Sequence, residues 1–374
     1  MRHVMLNALF LDPSASGGPE TYLRGLAPAL AAAHPDTRFT VVTTRSGAEA
    51  LRADGWEPRF TLRALPCEEG QRGRRQLSEQ VLLPLLARRQ RVDVLHSLAS
   101  VAPIRVPGVT HVITLHDVTF FRHGTFGAVT LFGMKQVVSR AARHADGLIT
   151  ATRASRDEIC DELDLDPDAF TIAPHGTEPA QSVMAAPEAD VRAQYQLEGK
   201  RVVLCVAAKR PHKNQEVLVR ALPLLDEDIV LVLAGHPEAY DAQLRELASS
   251  LGVSGRVRFA DYVPDADLET LWQLAGCAAF PTLGEGFGLP LIEGMSRGVG
   301  LAASDIPVLR EVGGDVPRYF DARSPEAAAA AINATLADPE AGAGGPARAA
   351  SYTWEAAAAG TWDAYLRATK RLVL

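Results

Sequence analysis

Near the C-terminal end of the sequence, two glutamates, Glu285 and Glu293, are separated by a glycine-rich segment that also contains a proline. Glycines stand on both sides of Glu285, so the backbone there can adopt positive φ angles and approach a ligand closely. The two carboxylates would repel a phosphate that touched them, whereas they readily accept hydrogen bonds from hydroxyl groups. The segment is therefore predicted to bind a hydroxyl-rich molecule. The simpler alternative is a solvated loop before a helix whose dipole Glu293 complements.

A short helix is predicted directly after this segment. Pro290 suits the first position of a helix, because its missing N–H would have had no intrahelical partner. With Pro290 at the first position, Glu293 is expected in the first turn of this helix, and Gly298 is expected to end it. The unpaired N–H groups at a helix start favour an anion. The residues that would supply them are Gly286, Phe287, Gly288 and Leu289. A nucleotide sugar, with phosphates in the middle and hydroxyl groups at both ends, fits the carboxylates and the helix start together.

Three cations, Lys209, Arg210 and Lys213, lie between a predicted strand and a predicted helix at the start of the second half of the chain. A diphosphate leaving group departs more easily beside fixed positive charge, so cations at this strand end would lower the reaction barrier. The plainer alternative is a basic loop with solvated side chains.

Two further candidates follow strands of the first half. Residues 14–20 contain Gly17 and Gly18, and a glycine turn between a strand and a helix can direct N–H groups at a phosphate. A plain turn with a helix cap is the alternative. His116 and Asp117 end another strand, where polar side chains of a parallel sheet point to a ligand, although a lone histidine is usually structural.

The elements that position these residues alternate between short apolar strands and helices in both halves of the chain. This order is typical of a parallel sheet covered on both faces. The predicted fold class is α/β, with two doubly wound Rossmann-like domains that face each other across a cleft. We expect an N-terminal domain over residues 1–182 and a C-terminal domain over 183–354, separated by a Pro-, Ala- and Ser-rich stretch at 178–187. A last helix over 355–374 is expected to pack back onto the N-terminal domain.

The composition excludes several classes of protein. The 374 residues are 47% hydrophobic and 22% charged, which is ordinary for a globular protein. No apolar run approaches the roughly 20 residues that span a bilayer, and the first residues do not have the pattern of a secretory signal. The four cysteines are far apart, which argues against a zinc site or a disulfide framework. The net charge of -7 argues against nucleic-acid binding. A cytoplasmic location is expected.

One basic stretch departs from this acidic average. Its arginines are Arg72, Arg74, Arg75, Arg88, Arg89 and Arg91, and its apolar residues are Leu77, Val81, Leu82, Leu83, Leu85 and Leu86. An amphipathic helix of this composition could lie near an anionic acceptor or contact the inner face of a membrane weakly. The plainer alternative is a solvated helix face over a core face.

Together these motifs resemble those of the family 4 retaining glycosyltransferases, which have the GT-B fold. The resemblance extends over essentially the whole chain. In chain order it rests on Gly17-Gly18 with Glu20, His116-Asp117, Lys213-Asn214, Ala234-Gly235, the segment from Glu285 to Glu293, the segment from Ile306 to Glu311, and the tail from Trp354 to Tyr365.

The resemblance implies transfer of a sugar from a nucleotide-sugar donor to a hydroxyl acceptor, which can be a glycan, a lipid-linked sugar or a small natural product. It also implies retention of anomeric configuration and no metal or other cofactor. By this similarity the catalytic residues are His116, Lys213 and Glu285. The implied donor-binding residues are Gly17, Gly18, Lys209, Arg210, Lys213, Glu285, Gly286, Phe287, Gly288, Leu289 and Glu293. Within this set, Glu293 would bind the ribose and Lys213 the diphosphate.

Three positions depart from the family pattern. Ala207-Ala208 stand where relatives usually have Gly-Arg, so Lys209 or Arg210 is expected to replace the missing arginine. His175 stands in place of the usual asparagine before Gly176, and Gly294 in place of an alanine.

Two other classes of function remain open from the residues. A glycoside hydrolase also uses two carboxylates, but usually without a cluster of phosphate-binding cations. A catalytically silent protein of the same fold, which binds a nucleotide sugar or a partner protein, is compatible with the displaced arginine.

Overall fold

The computed structural model describes residues 1–12, 17–67, 72–122, 127–177 and 183–371. The chain divides into two compact units, and each is considered by itself. Unit 1 comprises Met1–Gly176 and Thr353–Leu374, and unit 2 comprises Thr177–Tyr352. Residues 14–16 of the predicted glycine turn and 178–182 of the predicted linker lie outside the described residues.

Unit 1 contains a seven-stranded sheet in which every strand runs parallel to its neighbours. The strands are β1 (His3–Asn7), β2 (Arg38–Thr43), β3 (Thr61–Ala64), β4 (Val94–Ser97), β5 (Thr110–Thr114), β6 (Gly147–Thr150) and β7 (Phe170–Ile172). The helices are α1 (Gly18–Ala33), α2 (Arg45–Ala53), α3 (Arg72–Leu77), α4 (Leu83–Arg89), α5 (Thr119–Arg122), α6 (Ala128–His144) and α7 (Arg153–Leu163). A single π-helical turn, Ser78–Leu82, joins α3 to α4.

Unit 2 contains a six-stranded parallel sheet. Its strands are β8 (Arg201–Val206), β9 (Ile229–Ala234), β10 (Val257–Ala260), β11 (Ala275–Phe280), β12 (Leu301–Ser304) and β13 (Arg318–Phe320). Its helices are α8 (Glu188–Tyr195), α9 (Gln215–Ala221), α10 (Tyr240–Ser250), α11 (Asp265–Leu274), α12 (Leu289–Ser296), α13 (Pro307–Gly313), α14 (Pro325–Leu336) and α15 (Gly345–Ala349).

The two sheets share the same order over six strands, and unit 1 adds β7 at one edge. Unit 1 is ordered β3-β2-β1-β4-β5-β6-β7 and unit 2 is ordered β10-β9-β8-β11-β12-β13. In both, the order reverses beside the first strand, between β1 and β4 and between β8 and β11. Ligands of doubly wound sheets bind at such reversals, outside the carboxyl ends of the strands. The predicted α/β class with two Rossmann-like sheets is confirmed. A ligand site is expected at the switch point of each sheet.

The central strands are buried on both faces, which explains their sequences. All six residues of β9, from Ile229 to Ala234, are buried and apolar. A strand covered by helices on both sides shows a continuous apolar run instead of an alternating one. Within the described ranges, none of the helices is both long and apolar enough to cross a membrane.

The last helix, α16 (Trp354–Arg371), belongs to unit 1 although it follows unit 2 in sequence. It packs against α1, where the ring of Trp354 occupies the space beside Gly25. A Cβ atom on Gly25 would lie 2.0 Å from that ring, so only glycine fits there. The close packing of α1 and α16 thus depends on this small residue.

Candidate functional site

The loop between β11 and α12 carries Glu285 and ends at a glycine with a left-handed backbone. Gly288 has a φ of 89° and precedes the first residue of α12. A Cβ atom on it would lie 2.9 Å from Leu309 Cδ2, so both the backbone angle and the space favour glycine. Because Gly288 is the N-cap, α12 begins at Leu289, one residue earlier than predicted. Pro290 is therefore the second helical residue, and Glu293 lies beyond the first turn.

The start of α12 leaves backbone donors available. The carbonyl of Gly288 accepts hydrogen bonds from the N–H groups of Leu291 and Ile292. Among the described residues, the N–H groups of Gly288 and Leu289 have no acceptor. The side chain of Phe287 is buried and packs edge-on against the ring of Tyr352, 5.6 Å between ring centroids. Any ligand contact of Phe287 would thus involve its backbone.

Glu285 is paired with the cation that the sequence places after β8. The Nζ atom of Lys213 lies 2.5 Å from Oε1 of Glu285, and the two side chains are 22% and 17% exposed. Partial burial strengthens such a pair relative to one in water, and it still leaves both groups within reach of a ligand. The structure therefore brings together two of the three residues predicted to be catalytic.

Asn214 holds the turn that carries Lys213. Its backbone is left-handed, with a φ of 54°, a conformation that asparagine adopts more readily than most residues. Its side-chain amide donates to the carbonyl of Pro281 at 2.9 Å and to that of Ala322 at 2.8 Å. The turn after β8 is thus tied to the residues that follow β11 and β13.

A second set of hydrogen bonds joins the loop that carries Glu285 to the turn that carries Lys213. The carbonyl of His212 accepts from the N–H of Leu283 at 2.8 Å and from the hydroxyl of Thr282 at 3.1 Å. Because these bonds join the residue before Lys213 to the loop before Glu285, the two charged side chains are positioned as one assembly.

Glu293 is partly buried on α12, and its carboxylate makes no hydrogen bond with any described residue. Burial raises the pKa of this carboxyl group, Asp265 and Glu269 raise it further, and Arg297 opposes them. Arg297 itself forms a buried pair with Glu269 at 2.6 Å. The free carboxylate of Glu293 is suited to accept hydrogen bonds from a hydroxyl-bearing ligand.

The remaining two cations differ from the expectation and from each other. Lys209 is completely buried, and its Nζ donates to the carbonyl of Gly235 at 2.7 Å and to Oδ1 of Asp261 at 2.5 Å. An ammonium held in this way can reach a diphosphate only if a buried pair breaks. Arg210 is 46% exposed and pairs with Glu238 at 2.6 Å. Of these two, Arg210 is the one whose ion pair lies at the solvent-exposed surface.

In unit 1, His116 follows β5 and is held on three sides. Its Nε2 lies 2.8 Å from the carbonyl of Leu98, so Nε2 carries a proton and Nδ1 is the acceptor. The rings of Tyr22 and His175 contact it edge-on, at 5.0 and 5.2 Å between centroids. Burial lowers the pKa of His116, while the Leu98 carbonyl and Asp117 oppose that shift. His116 is therefore neutral near pH 7.

Asp117, which was expected at the same strand end, has a local structural role. Its Oδ1 accepts hydrogen bonds from the N–H and the hydroxyl of Thr119, at the start of α5. An aspartate side chain that accepts from the N–H two residues further on forms an Asx turn. Asp117 fixes the chain after His116.

Behind His116 lies a buried polar network that the sequence did not predict. His96 bonds through Nδ1 to the hydroxyl of Tyr365 and through Nε2 to the hydroxyl of Thr114, both at 2.7 Å. Tyr22 also bonds to Thr114, at 3.2 Å, and stacks on His175 at 4.6 Å between centroids. Burial lowers the pKa of His96 to about 3. The available signal was the adjacent polar pair His96 and Ser97 at the end of β4, a fully buried strand.

Gly17 and Gly18 begin α1, outside the carboxyl end of β1. Gly17 is the N-cap and has extended backbone, which any residue can adopt. A Cβ atom on Gly18 would meet no described atom within 4 Å. Neither glycine is therefore required by the packing of the described residues, and both leave space for a ligand to approach the backbone.

A cavity of about 400 Å³ in unit 2 lies away from Lys213 and Glu285. Trp272, Arg297, Gly300 and Leu336 contribute to its lining, together with Ala275 at the start of β11. It is thus at the amino ends of the strands, on the opposite edge of the sheet from Lys213 and Glu285. Its position does not favour it as the donor site of a doubly wound sheet.

Comparison with known families assigns the chain. The model described as Glycosyltransferase Family 4 matches residues 16–181, and the model described as Glycosyl transferases group 1 matches residues 188–348. Together they account for most of the chain. The chain belongs to glycosyltransferase family 4.

Named relatives of this family 4 chain include sugar-transferring proteins of several kinds. The O-antigen chain mannosyltransferase B of Escherichia coli is 34% identical over 180 residues, which are 46% of this chain and 47% of that protein. The D-inositol 3-phosphate glycosyltransferase of Streptomyces bingchenggensis is 27% identical over 310 residues, which are 76% of this chain and 64% of that protein. The matches to several relatives span about half of the relatives' own lengths.

Solved structures identify the fold of this family 4 chain as GT-B. Sucrose-phosphate synthase from Thermosynechococcus elongatus aligns with a TM-score of 0.79 at 20% identity, covering 100% of this chain and 99% of that one. Anabaena HepE in complex with UDP and glucose aligns with a TM-score of 0.73 at 17% identity, covering 100% and 98%. At these identities the likeness concerns the fold alone.

Proposed function

We propose that this protein transfers a sugar from a nucleotide-sugar donor to a hydroxyl acceptor, with retention of anomeric configuration and without a metal or other cofactor. The observation that carries the proposal is the pair of Lys213 and Glu285, in a loop that leads into α12 with its unbonded backbone donors and the free carboxylate of Glu293. Family membership supports it. So do the relatives named for mannosyl or glycosyl transfer and the HepE complex with UDP and glucose.

The proposed donor contacts in unit 2 follow from charge and hydrogen-bonding capacity. Lys213, assisted by Arg210, neutralises the diphosphate, and Glu293 accepts hydrogen bonds from the ribose hydroxyls. Glu285 and the N–H groups of residues 286–289 hold the hydroxyls of the transferred sugar. In the structure, Lys213 and Glu285 neutralise each other. On binding, the ammonium exchanges a carboxylate for a phosphate, and the carboxylate exchanges an ammonium for hydroxyl groups.

The proposed contacts in unit 1 are fewer. The N–H groups of Gly17 and Gly18 approach the diphosphate, and His116 lies beside the transferred sugar with its unprotonated Nδ1 available to a hydroxyl. Lys209 is omitted from the donor contacts because its buried pair with Asp261 already satisfies it.

In the proposed reaction, the bond between the anomeric carbon and the diphosphate oxygen breaks as the acceptor oxygen bonds to the same face of that carbon. The acceptor's proton passes to the departing phosphate oxygen, so the products are a glycoside and a nucleoside diphosphate. Fixed cations stabilise the negative charge that develops on the leaving group, and the loop contacts hold the sugar in position. The acceptor is a glycan, a lipid-linked sugar or a small molecule with a free hydroxyl.

The donor site is tested by the thermal shift of the purified protein with UDP, GDP, ADP and dTDP sugars. Selective stabilisation by one nucleotide is expected. The stabilisation should be lost in Glu293→Ala, which removes the ribose contact, and kept in Glu246→Ala, an exposed glutamate on α10. Equal shifts in both variants, or no shift with any donor, would contradict the proposed site.

One alternative rests on a specific observation. The usual arginine is absent at Ala208, and Lys209 beside it is occupied by Asp261, so a protein that binds a nucleotide sugar without transferring it is the second candidate. Incubation with the stabilising donor distinguishes the two. Release of the nucleoside diphosphate, as the sugar passes to water or to an added acceptor, favours transfer. Binding of the donor without this release favours the silent protein.

A further inference from the structure

A buried lysine joins three loops at the carboxyl edge of the sheet in unit 2. The ammonium of Lys209, which follows β8, donates to the carbonyl of Gly235, after β9, at 2.7 Å. It also donates to Oδ1 of Asp261, after β10, at 2.5 Å. The backbone N–H of Lys209 donates to the carbonyl of His236 at 3.1 Å. One residue therefore ties the segment after β8 to the segments that follow the next two strands of the sheet.

Two further charged residues surround this ammonium. Asp241, at the start of α10, lies 3.9 Å from Nζ of Lys209 and pairs with Arg245 at 2.5 Å. Arg245 also lies 3.6 Å from Asp261, and its guanidinium is 4.0 Å from the ring centroid of Phe259. The two cations and the two carboxylates balance each other, so the charge of Lys209 is neutralised within unit 2. Burying an ammonium costs free energy that its partners return only in part, and such groups can serve to specify one conformation.

The segment held by Lys209 carries Arg210. The guanidinium of Arg210 pairs at 2.6 Å with Glu238, which lies on the segment after β9. Gly235 allows the two segments to approach each other, because its φ is 143° and a Cβ atom on it would lie 2.4 Å from the carbonyl oxygen of Ala207. Lys209 therefore fixes both of the backbone segments between which Arg210 and Glu238 pair.

We infer that Lys209 is a positioning residue, which holds Arg210 where it contacts the diphosphate of the donor. This role rests on the proposed function, in which Arg210 assists Lys213. Without the ammonium, the segment after β8 loses its side-chain bonds to the other two loops, and Arg210 is presented over a wider range of positions. Its guanidinium must then be ordered on binding, which weakens recognition of the diphosphate. Lys209 thus fixes the start of the loop whose end Asn214 fixes.

The test is a double variant that removes both charges of the pair, Lys209→Met/Asp261→Asn. Removing both partners of a buried ion pair can leave stability unchanged, whereas removing one leaves a buried charge alone. The measurement is the dissociation constant of the nucleoside monophosphate divided by that of the nucleoside diphosphate, for the base selected by thermal shift. A general loss of structure would weaken both ligands, so this ratio reports recognition of the second phosphate. It should fall about tenfold, because a hydrogen bond to a charged group contributes about that factor or more.

A second variant and a control accompany the double variant. Asp261→Asn alone leaves the ammonium with Gly235 and Asp241, so the ratio should fall by only about threefold. The control is Arg318→Met/Asp338→Asn, which removes a partly exposed pair of 2.5 Å at the amino end of β13 and should leave the ratio unchanged. Circular dichroism and the thermal midpoint establish which variants are folded.

A thermodynamic cycle shows whether Lys209 acts through Arg210. Arg210→Met should lower the ratio by itself, and adding it to Lys209→Met/Asp261→Asn should cause little further loss. Losses that multiply, or an unchanged ratio in Arg210→Met, would overturn the inference. So would an unchanged ratio in Lys209→Met/Asp261→Asn or, if that variant does not fold, in Asp261→Asn.

The role of Lys209 and the proposed function can fail separately. If the wild type binds a nucleotide in a way that depends on Glu293, and the folded Lys209 variant keeps the wild-type ratio, only the role of Lys209 is wrong. If the wild type binds no nucleotide, both are wrong.

Discussion

The two units share a strand order but carry different chemistry at the carboxyl ends of their sheets. In unit 1 the polar network behind His116 is neutral and buried, and it joins His96, Thr114 and Tyr365. In unit 2 they are charged, with Lys213 paired to Glu285 and Lys209 paired to Asp261. A neutral network keeps one shape because each bond is directional, whereas an ion pair can exchange one partner for a ligand. The same fold thus offers a rigid frame in one unit and replaceable charges in the other.

The largest effect is expected where the charge of unit 2 is removed. Under the proposed function, Lys213→Ala should lower kcat by about 10²–10³-fold, because a fixed cation stabilises the leaving group chiefly in the transition state. Lys213→Arg should recover part of the loss. Lys200→Ala, an exposed lysine before β8, serves as the control and should keep the wild-type rate. Steady-state kinetics with the donor identified by thermal shift provide the measurement, and wild-type turnover in Lys213→Ala would move the role to Arg210.

An intermediate effect is expected from acid, and it should fall on unit 1. Burial lowers the pKa values of His96 and His111 to about 3 from their usual value of 6.5. Above pH 6.5 both imidazole rings are neutral in the folded and in the unfolded chain, so their full contribution to the free energy of unfolding is present. Between pH 6.5 and 3 the unfolded chain binds protons that the folded unit cannot, and stability falls by up to about 1.4 kcal/mol per pH unit for each histidine.

Hydrogen exchange between pH 7 and 5 checks this prediction. Peptides covering β4 and β5 should lose protection on acidification relative to peptides covering β8 and β9 in the same sample. His96→Gln should reduce the loss of protection by the contribution of one histidine. His144→Gln, at the surface, should leave the loss of protection unchanged. Equal loss of protection in both units would contradict the assignment of acid sensitivity to unit 1.

The smallest effect is expected from loosening the turn that carries Lys213. Asn214→Gly keeps the left-handed backbone and removes the two side-chain bonds to Pro281 and Ala322, which should cost about 1–2 kcal/mol of stability. Asn214→Ala should cost about 1 kcal/mol more, because alanine is strained at a φ of 54°. Both variants should lower kcat more than they raise KM, since they misplace Lys213. Urea unfolding measures the loss of stability, and steady-state kinetics measure the change in kcat. An unchanged kcat in a destabilised variant would show that Asn214 contributes to stability but does not position Lys213.

The fold was largely predictable, because buried parallel strands leave long apolar runs. Such runs mark β1, β8 and β9 in the sequence. They do not mark the edge strands β3, β7 and β13, which have three or four residues and are partly exposed. Three or four residues are too few to show a periodic pattern, and pairing with a neighbouring strand determines their conformation.

The candidate site was predictable in part. Lys213 and Glu285 were identified separately, and their contact depends on loops joined through Asn214 and Thr282 that no local pattern encodes. Lys209 and Arg210 are adjacent in sequence, so their composition could not reveal that one is buried and the other exposed. That difference is decided by Asp261, on another segment of unit 2.

The position of α16 has a consequence for synthesis of the chain. Tyr365, on this helix, supplies the hydroxyl that bonds to His96, 269 residues earlier in the sequence. Unit 2 is thus inserted between the two segments of unit 1. On the ribosome, the residues that begin unit 1 emerge first, but its network is completed only after all of unit 2 has been made. Unit 2 can therefore finish folding before unit 1, and a chain that stops after residue 352 would contain an intact unit 2 beside a unit 1 without its last helix.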